Sequence, residues 1–280
     1  MLVVVNPLSG AEGDAQIAWL KQQLKQQQIT ATWFNTTGNF VSDRDAIVKA
    51  TTTGTTVVVI GGDGTLHLVA NAIARRNNPL ALLPAGTGND FARQFNYSKA
   101  QWRAAVFSDQ VTNIDLGKVD SRWFVNVAGV GFNAHVMNNL GQKKRLGKLS
   151  YTYAGLISLF SAKSICYHSK TWPEHGMMLL LANGKHFGAG LTPAPMASLN
   201  DGQLELLWFT PKTHWQRVVV FASMLLKRHI GAKNVHHDRI TELCIAQAGY
   251  DIEADGEIVG RTPATITCCR QALSIKKAPS

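Results

Sequence analysis

Short, unbroken apolar runs alternate along the first part of the chain with segments whose apolar residues return every three or four positions. Met1–Asn6 (MLVVVN) and Thr55–Ile60 (TTVVVI) are such runs, the pattern of strands buried on both faces of a sheet. Leu80–Leu83 is a third, and Thr30–Asn35 a fourth, more polar one. Between them, Ile17, Leu20 and Leu24 predict an amphipathic helix on a Gln- and Lys-rich segment. Ala46, Ile47 and Ala50 predict another over Asp45–Thr51. Leu66, Val69, Ala70 and Ile73 follow the i, i+3, i+4, i+7 rule of a third helix, and a fourth begins within Asn89–Phe95. Strands alternating with helices predict a parallel sheet with right-handed crossovers.

The pattern then changes. Trp123–Ala128, Met177–Asn183, Gln203–Phe209, Glu242–Gln247 and Thr265–Cys269 read as strands separated by Gly- and Pro-containing turns. Gly131–Asn139, Tyr151–Ala162 and Trp215–Arg228 read as helices, and Asn183-Gly184 as a hairpin turn. The chain is therefore expected to hold an α/β domain over residues 1–120 and a mostly antiparallel β domain with a few helices over 121–280. No internal repeat and no low-complexity segment is visible.

At 280 residues and 45% hydrophobic, the chain can bury a full core, which excludes a disordered or fibrous protein. The 28 Lys+Arg against 18 Asp+Glu leave a net charge of +10, which points to an anionic partner. The excess is uneven. Residues 1–115 carry 9 basic and 8 acidic residues, whereas residues 116–280 carry 19 and 10. The densest basic run is Lys143-Lys144-Arg145-Leu146-Gly147-Lys148; Lys227-Arg228-His229 with Lys233 follows an apolar helix holding Trp215, Val218, Val219, Ala222 and Leu226. Either cluster could dock on anionic lipid, at about 1 kcal/mol per basic residue near the surface. For the helix, ordinary core packing is the preferred reading; for the lysine run both readings stay open. No nucleic-acid recognition motif is present, so nucleic acid is not an expected partner.

The apolar run Val218–Leu226 falls well short of the roughly 20 residues a spanning helix needs. The N-terminus lacks the basic segment and cleavage site of a signal peptide. A cytoplasmic protein, able to sit peripherally on the inner face of the membrane, is the expectation. Cys166, Cys244, Cys268 and Cys269 show no C-x-x-C spacing, and the nine histidines, His236-His237 included, form no metal-spaced set. Neither a disulfide framework nor a zinc site is expected.

Three turns follow strands of the first domain: Asn6-Pro7-Leu8-Ser9-Gly10, Gly61-Gly62-Asp63-Gly64-Thr65, and Pro84-Ala85-Gly86-Thr87-Gly88-Asn89-Asp90. In a parallel sheet they share the carboxyl edge of the strands, where open α/β sheets bind ligands. Glycine lets backbone N–H groups approach a phosphate, and the following helix N-terminus favours negative charge. Thr65 and Thr87 can donate hydroxyls. Asp63 and Asp90 would repel a phosphate unless a divalent cation lies between or one of them accepts a proton. One such turn alone is usually only a tight turn with a helix cap. Three on one edge point to phosphate binding, although neither the Walker A nor the Rossmann glycine pattern is present.

These motifs resemble the catalytic domain of diacylglycerol kinases. The closer likeness is to soluble bacterial lipid kinases of that superfamily, which also holds sphingosine and ceramide kinases. The likeness continues through Ile114-Asp115-Leu116-Gly117, Asn126-Val127-Ala128-Gly129-Val130-Gly131-Phe132, Asn200-Asp201-Gly202 and Asp255-Gly256-Glu257. From Leu146 to Leu273 it looks most like the YegS-type lipid kinases. The GGDGT motif alone is shared with NAD kinases. The resemblance implies a three-layer α/β nucleotide-binding domain related to those of NAD kinases and phosphofructokinases. It implies a β-sandwich-like second domain, with the active site in the cleft between. It further implies transfer of the γ-phosphoryl group of ATP to a lipid hydroxyl, at a membrane surface and with Mg²⁺, and leaves room for a homodimer. Asn6, Pro7, Leu8, Ser9, Gly10, Thr36, Gly61, Gly62, Asp63, Gly64, Thr65, Leu66, His67, Gly86, Thr87 and Asp90 would then lie at the nucleotide. Thr36 is followed here by Thr37-Gly38-Asn39-Phe40-Val41 in place of the usual Gly-Asp-Ala.

A carboxylate can accept the proton of a weakly nucleophilic lipid hydroxyl as the new bond forms. By resemblance that base is Asp255, with Glu257 second and Asp63 as the rival; taken alone, Asp255-Gly256 is simply a type I′ hairpin turn. Asp63, Asp90 and Asp115 would organise catalytic Mg²⁺, directly or through water. A structural Mg²⁺ would use Asp201 and the backbone carbonyls of Ser198 and Gln203, although Asn-Asp-Gly by itself is a common turn. Two other readings stay open: a kinase of NAD or another soluble hydroxyl compound, and a nucleotide- or lipid-binding regulator without catalysis. Diacylglycerol, phosphatidylglycerol, monoacylglycerol and sphingoid bases all fit as acceptors.

Overall fold

The computed structural model describes residues 1–140, 158, 160–169 and 171–279. The chain divides into two units, Met1–Leu116 with Arg270–Ser280, and Gly117–Cys269. The last stretch, grouped with the second domain in the sequence reading, thus returns to the first unit. Among the described residues no helix is long and apolar enough to cross a membrane.

The first unit runs β1 (Leu2–Val5), α1 (Gly10–Gln26), β2 (Thr32–Asn35), α2 (Phe40–Ala50), β3 (Val57–Gly61), α3 (Asp63–Ile73), β4 (Leu80–Pro84), α4 (Asp90–Arg93) and α5 (Lys99–Phe107). Strand order is β2-β1-β3-β4, all parallel. The sheet continues through Ile275, which pairs in parallel with Leu80 and belongs to β16 (Ala264–Lys276), and then through β5 (Val111–Val119). Every residue of β1 and β3 is buried, which explains why those strands read as unbroken apolar runs. Val3, Val5, Val58, Ile60, Ala81 and Leu83 share one core with Leu20 and Leu24 of α1 and Val106 of α5. α2 begins earlier than its apolar spacing suggests because Asn39 caps it, accepting the Ser42 N–H at 3.1 Å.

The second unit holds β6 (Arg122–Phe124), β7 (Val127–Gly131), α6 (Phe132–Leu140), β8 (Ile165–Cys166), β9 (His175–Gly176), β10 (Met178–Ala182), β11 (Leu204–Phe209), α7 (His214–Leu225), β12 (Val235–Ile240), β13 (Glu242–Ile245), β14 (Asp251–Ala254) and β15 (Glu257–Arg261). One antiparallel sheet has the order β12-β11-β10-β7-β14-β15. Both its faces are covered. Leu179, Leu181, Leu204, Leu206 and Trp208 join one core with Ile245 and Ile266 from the β13/β16 pair. Met178, Leu180, Leu207 and Phe209 point the other way, to a core with Phe132 of α6 and Val220 of α7. This period-2 split over two filled faces makes the unit β-sandwich-like and accounts for the all-apolar LELLWF run apart from Glu205.

Three sequence readings change. Trp123–Ala128 is two strands, β6 and β7, rather than one. Asn183-Gly184 is not a hairpin turn. The Asn183 and Gly184 N–H groups both donate to Asn126 O at 2.8 Å, and β11 resumes only at Leu204. α7 does not turn its whole apolar surface into the core: Trp215 is 73% exposed and Leu226 67%. The helix expected over Tyr151–Ala162 falls mostly outside the described residues, as does the lysine run at 143–148.

Candidate active site

Parallel register sets Val5 level with Ile60, and Gly61 level with Pro84. The chain therefore leaves β1, β3 and β4 at one edge of the first unit's sheet. The second and third turns touch there. A Cβ added to Gly86 would lie 2.4 Å from the Gly62 Cα, and one on Gly62 3.0 Å from the Gly86 Cα. Two backbones meet with no room for a side chain at Gly86. Asn89, at φ 52°, closes the third turn: its Oδ1 accepts the Gly86 N–H at 2.9 Å and its Nδ2 donates to Gly86 O at 2.8 Å.

Asp63 ties the same two turns together. Its Oδ2 accepts the Asp90 N–H and its Oδ1 the Phe91 N–H, each at 3.0 Å. Asp90 is buried, with Arg93 Nε 3.8 Å from its Oδ1. Thr65 is buried, and its Oγ1 sits 2.4 Å from where a Gly61 Cβ would be. Gly64 and Thr87 are exposed. In the first turn, Asn6 Oδ1 accepts the Leu8 N–H at 2.9 Å, and Asn6 O the Ser9 N–H at 3.1 Å. Pro7, Leu8 and Gly10 are exposed. The Ser9 hydroxyl at the start of α1 is buried, with no hydrogen-bond partner among the described residues. A phosphate oxygen at this edge would supply one.

The remaining first-unit candidates are placed differently. Thr36 directly follows β2 at the same edge, half-buried, its N–H donating to Val5 O at 2.9 Å. The divergent Thr37-Gly38 that follows is clamped by buried Asp43, which accepts both N–H groups and the Thr37 hydroxyl at 2.8 to 3.1 Å. Leu66 and His67 keep their side chains inside the unit, the imidazole packing 5.7 Å from the Phe40 ring. Asp115 is buried and accepts the Gln271 N–H at 2.8 Å, where the chain takes a φ of 49°. It fastens the bend in β16.

In the second unit, Asp255 and Gly256 have φ values of 47° and 90° and join β14 to β15, as a type I′ turn requires. The Asp255 carboxylate accepts three successive backbone N–H groups: Val125 at 2.6 Å, Asn126 at 2.9 Å and Val127 at 3.2 Å. Glu253, fully buried, accepts the Gly256 N–H at 2.6 Å and the Asn133 Nδ2 at 3.4 Å. Glu257 is half-buried, and its carboxylate makes no side-chain hydrogen bond or ion pair with any described residue. Asn183 Nδ2 donates to Val125 O at 2.8 Å and holds the same segment from the other side. Sequence reasoning missed Glu253, Asn133 and Asn183. The available signal was Gly129, where a Cβ would fall 2.5 Å from Asn133 Nδ2.

At the Asn200-Asp201-Gly202 turn, Asp201 Oδ1 accepts the Gln203 N–H at 3.1 Å and Ser198 Oγ donates to Asn200 Oδ1 at 2.8 Å. The donors here are oxygens, which suits a hard cation such as Mg²⁺. A second set has softer chemistry. Cys166, His168 and Glu174 bring their ligand atoms within 4.8 Å of one another on the β8–β9 hairpin, without any C-x-x-C spacing to announce it.

Residues 1–119 match the diacylglycerol kinase catalytic domain, and residues 126–277 match the YegS C-terminal NAD kinase beta sandwich-like domain. The chain belongs to the diacylglycerol kinase family. As a family member it is an ATP-dependent lipid kinase. A Pseudomonas aeruginosa protein named "Probable lipid kinase YegS-like" is 32% identical over 264 residues, covering 87% of this chain and 82% of its own. The protein named "Diacylglycerol kinase" from Bacillus subtilis is 27% identical over 277 residues, covering 93% and 90%. The crystal structure of a diacylglycerol kinase from Bacillus anthracis superimposes with a TM-score of 0.76 at 20% identity, over 99% of this chain and 96% of that one. At that identity it speaks for the fold.

Proposed function

We propose that the enzyme transfers the γ-phosphoryl group of ATP to a free hydroxyl of a glycerolipid, diacylglycerol first among the candidates. The observation that carries the nucleotide half is the backbone contact between Gly62 and Gly86, with the buried Ser9 hydroxyl, unpartnered among the described residues, in the turn after β1 at the same sheet edge. It gathers glycine turns and two helix starts, those of α1 and α3, at one sheet edge. The lipid half rests on family membership and on relatives named for diacylglycerol. In this reading Ser9, Thr65 and Thr87 hold phosphate oxygens, and Gly61, Gly62, Gly64 and Gly86 leave room for them. Asp63 braces the two turns through the Asp90 and Phe91 N–H groups.

In this reading the proton acceptor for the lipid hydroxyl is one of the Asp255 and Glu257 pair. Asp255 is held in one orientation by its three backbone donors; Glu257 is uncommitted among the described residues. Mg²⁺, when bound, neutralises charge on the transferring phosphate. Asp201 with the Ser198 and Gln203 carbonyls would hold a further ion in a structural role. The test is a radiolabelled-ATP assay over vesicles containing diacylglycerol, phosphatidylglycerol or a sphingoid base, with NAD as a soluble acceptor. Label in diacylglycerol is expected; label only in NAD, or in no acceptor, would overturn the proposal.

A further inference from the structure

The outward face of α7 carries an apolar stripe that is exposed among the described residues. Trp215, Val219, Leu225 and Leu226 are 73%, 47%, 55% and 67% exposed, and Ala222 is exposed with them. At 3.6 residues per turn these positions, with half-buried Val218, fall on an arc of about 120°. The opposite side of the helix is the one that packs: Val220 and Met224 are buried, and Phe221 lies against the core. The helix is therefore apolar on two sides, and the described residues cover one of them. Thr213 caps its start by accepting the Gln216 N–H at 3.2 Å, and Arg217 anchors it by donating to Ala162 O at 2.9 Å. Phe160, 55% exposed, extends the apolar surface, its ring 5.7 Å from that of His214.

The charge around this stripe has one sign. From Leu206 to His237 the chain contains no Asp or Glu, but it contains Lys212, Arg217, Lys227, Arg228 and Lys233. Lys212 precedes the helix, and Lys227 and Arg228 follow it; all three are exposed. An exposed Trp and aliphatic stripe with cations at both ends matches an anionic bilayer surface. The apolar residues enter the boundary between headgroups and acyl chains, and the cations meet lipid phosphates. A protein partner would meet the same stripe, but the one-signed rim selects a negatively charged, fluid apolar surface.

We propose that α7 is a membrane-docking helix, and that it seats the second unit on anionic phospholipid. The proposal rests on the α7 surface alone and extends the lipid-kinase reading, because it names how the enzyme would reach a bilayer-resident acceptor. It is tested with the full chain by co-sedimentation with large unilamellar vesicles, either phosphatidylcholine alone or phosphatidylcholine with phosphatidylglycerol, without nucleotide. The wild type is expected to partition onto the anionic vesicles and to be released by salt. The double variant Trp215→Ser/Leu226→Ser is expected to lose about tenfold or more in partition, since two exposed apolar side chains no longer enter the interface. Lys227→Ala/Arg228→Ala is expected to lose binding only on the anionic vesicles. Both variants should keep the wild-type melting temperature and wild-type turnover of lipid presented in detergent micelles.

Equal vesicle binding by wild type and the Trp215/Leu226 variant would overturn the proposal, as would absence of wild-type binding. So would a change from dimer to monomer in that variant with vesicle binding intact, which would make the stripe a contact between copies. The two readings fail separately. A protein that binds vesicles through α7 but phosphorylates no lipid sinks only the kinase substrate. Turnover in micelles without α7-dependent vesicle binding sinks only the docking helix.

Discussion

Replacing Asp255 by Asn tests the carboxylate turn most directly, because the structure predicts two separable effects. The carboxylate receives the Val125 N–H on Oδ2 and the Asn126 and Val127 N–H groups on Oδ1. Asparagine has one acceptor oxygen. With that oxygen kept toward Asn126 and Val127, its NH2 group faces the Val125 N–H, and two donors oppose each other. One charge-assisted bond is lost and a backbone donor is left unsatisfied, together costing about 3 kcal/mol. At about 2–4 °C per kcal/mol for a unit of this size, the melting temperature should fall by about 6–12 °C. If Asp255 also accepts the hydroxyl proton, kcat falls by a further factor of about 10²–10⁴. Thermal denaturation followed by circular dichroism reads the first effect. Turnover of radiolabelled ATP well below both transitions reads the second, with nucleotide affinity expected to stay near wild type. Glu257→Gln is the control, because that carboxylate has no described partner. It should melt within about 1 °C of wild type. An Asp255→Asn protein with unchanged melting temperature would refute the three-donor anchoring. One that melts early but turns over at the wild-type rate would remove Asp255 as base, and a kcat loss in Glu257→Gln would move the role there.

Gly86→Ala would place a methyl group 2.4 Å from the Gly62 Cα. Forcing the two turns apart should cost about 1–3 kcal/mol of stability and raise the KM for ATP about tenfold or more; an unchanged KM would count against these turns as the phosphate site. Mg²⁺ should raise the melting temperature of the wild type but not of Asp201→Ala, and equal shifts in both would remove Asp201 as a ligand. Stability should also fall in acid through His229. This side chain is fully buried, and its Nε2 lies 2.6 Å from Pro193 O. Burial pushes its imidazole below the ordinary value, against two backbone hydrogen bonds that act the other way. The unfolded chain therefore binds the proton more readily. This contribution is complete above the ordinary histidine range near pH 6.5 and is lost as pH falls below it, by at most about 1.4 kcal/mol per pH unit. His229→Gln should flatten the melting-temperature profile between pH 7.5 and 5.5; an unaltered slope would exclude His229 as its source.

The sequence by itself determined the alternation of strands and helices in the first unit, because burial on both faces of a parallel sheet writes unbroken runs such as Val57–Ile60. It also determined that the turns after β1, β3 and β4 share one edge, since parallel strands leave no other arrangement. Its signal was weaker in the second unit, where a sheet buried on both faces blurs the alternation and strand ends such as Phe124 and Val127 run together. Tertiary structure alone decided what the polar groups do. Asp63 reads as a possible base or magnesium organiser, yet its two oxygens go to N–H groups 27 and 28 positions away. Asp255 finds its three donors some 128 to 130 positions back along the chain. Nothing local in either sequence neighbourhood encodes those partners. The same holds for α7, whose spacing gives two apolar sides and says nothing about which one the rest of the protein covers. Periodicity records that a residue is apolar; only the packing of distant segments records whether water still reaches it.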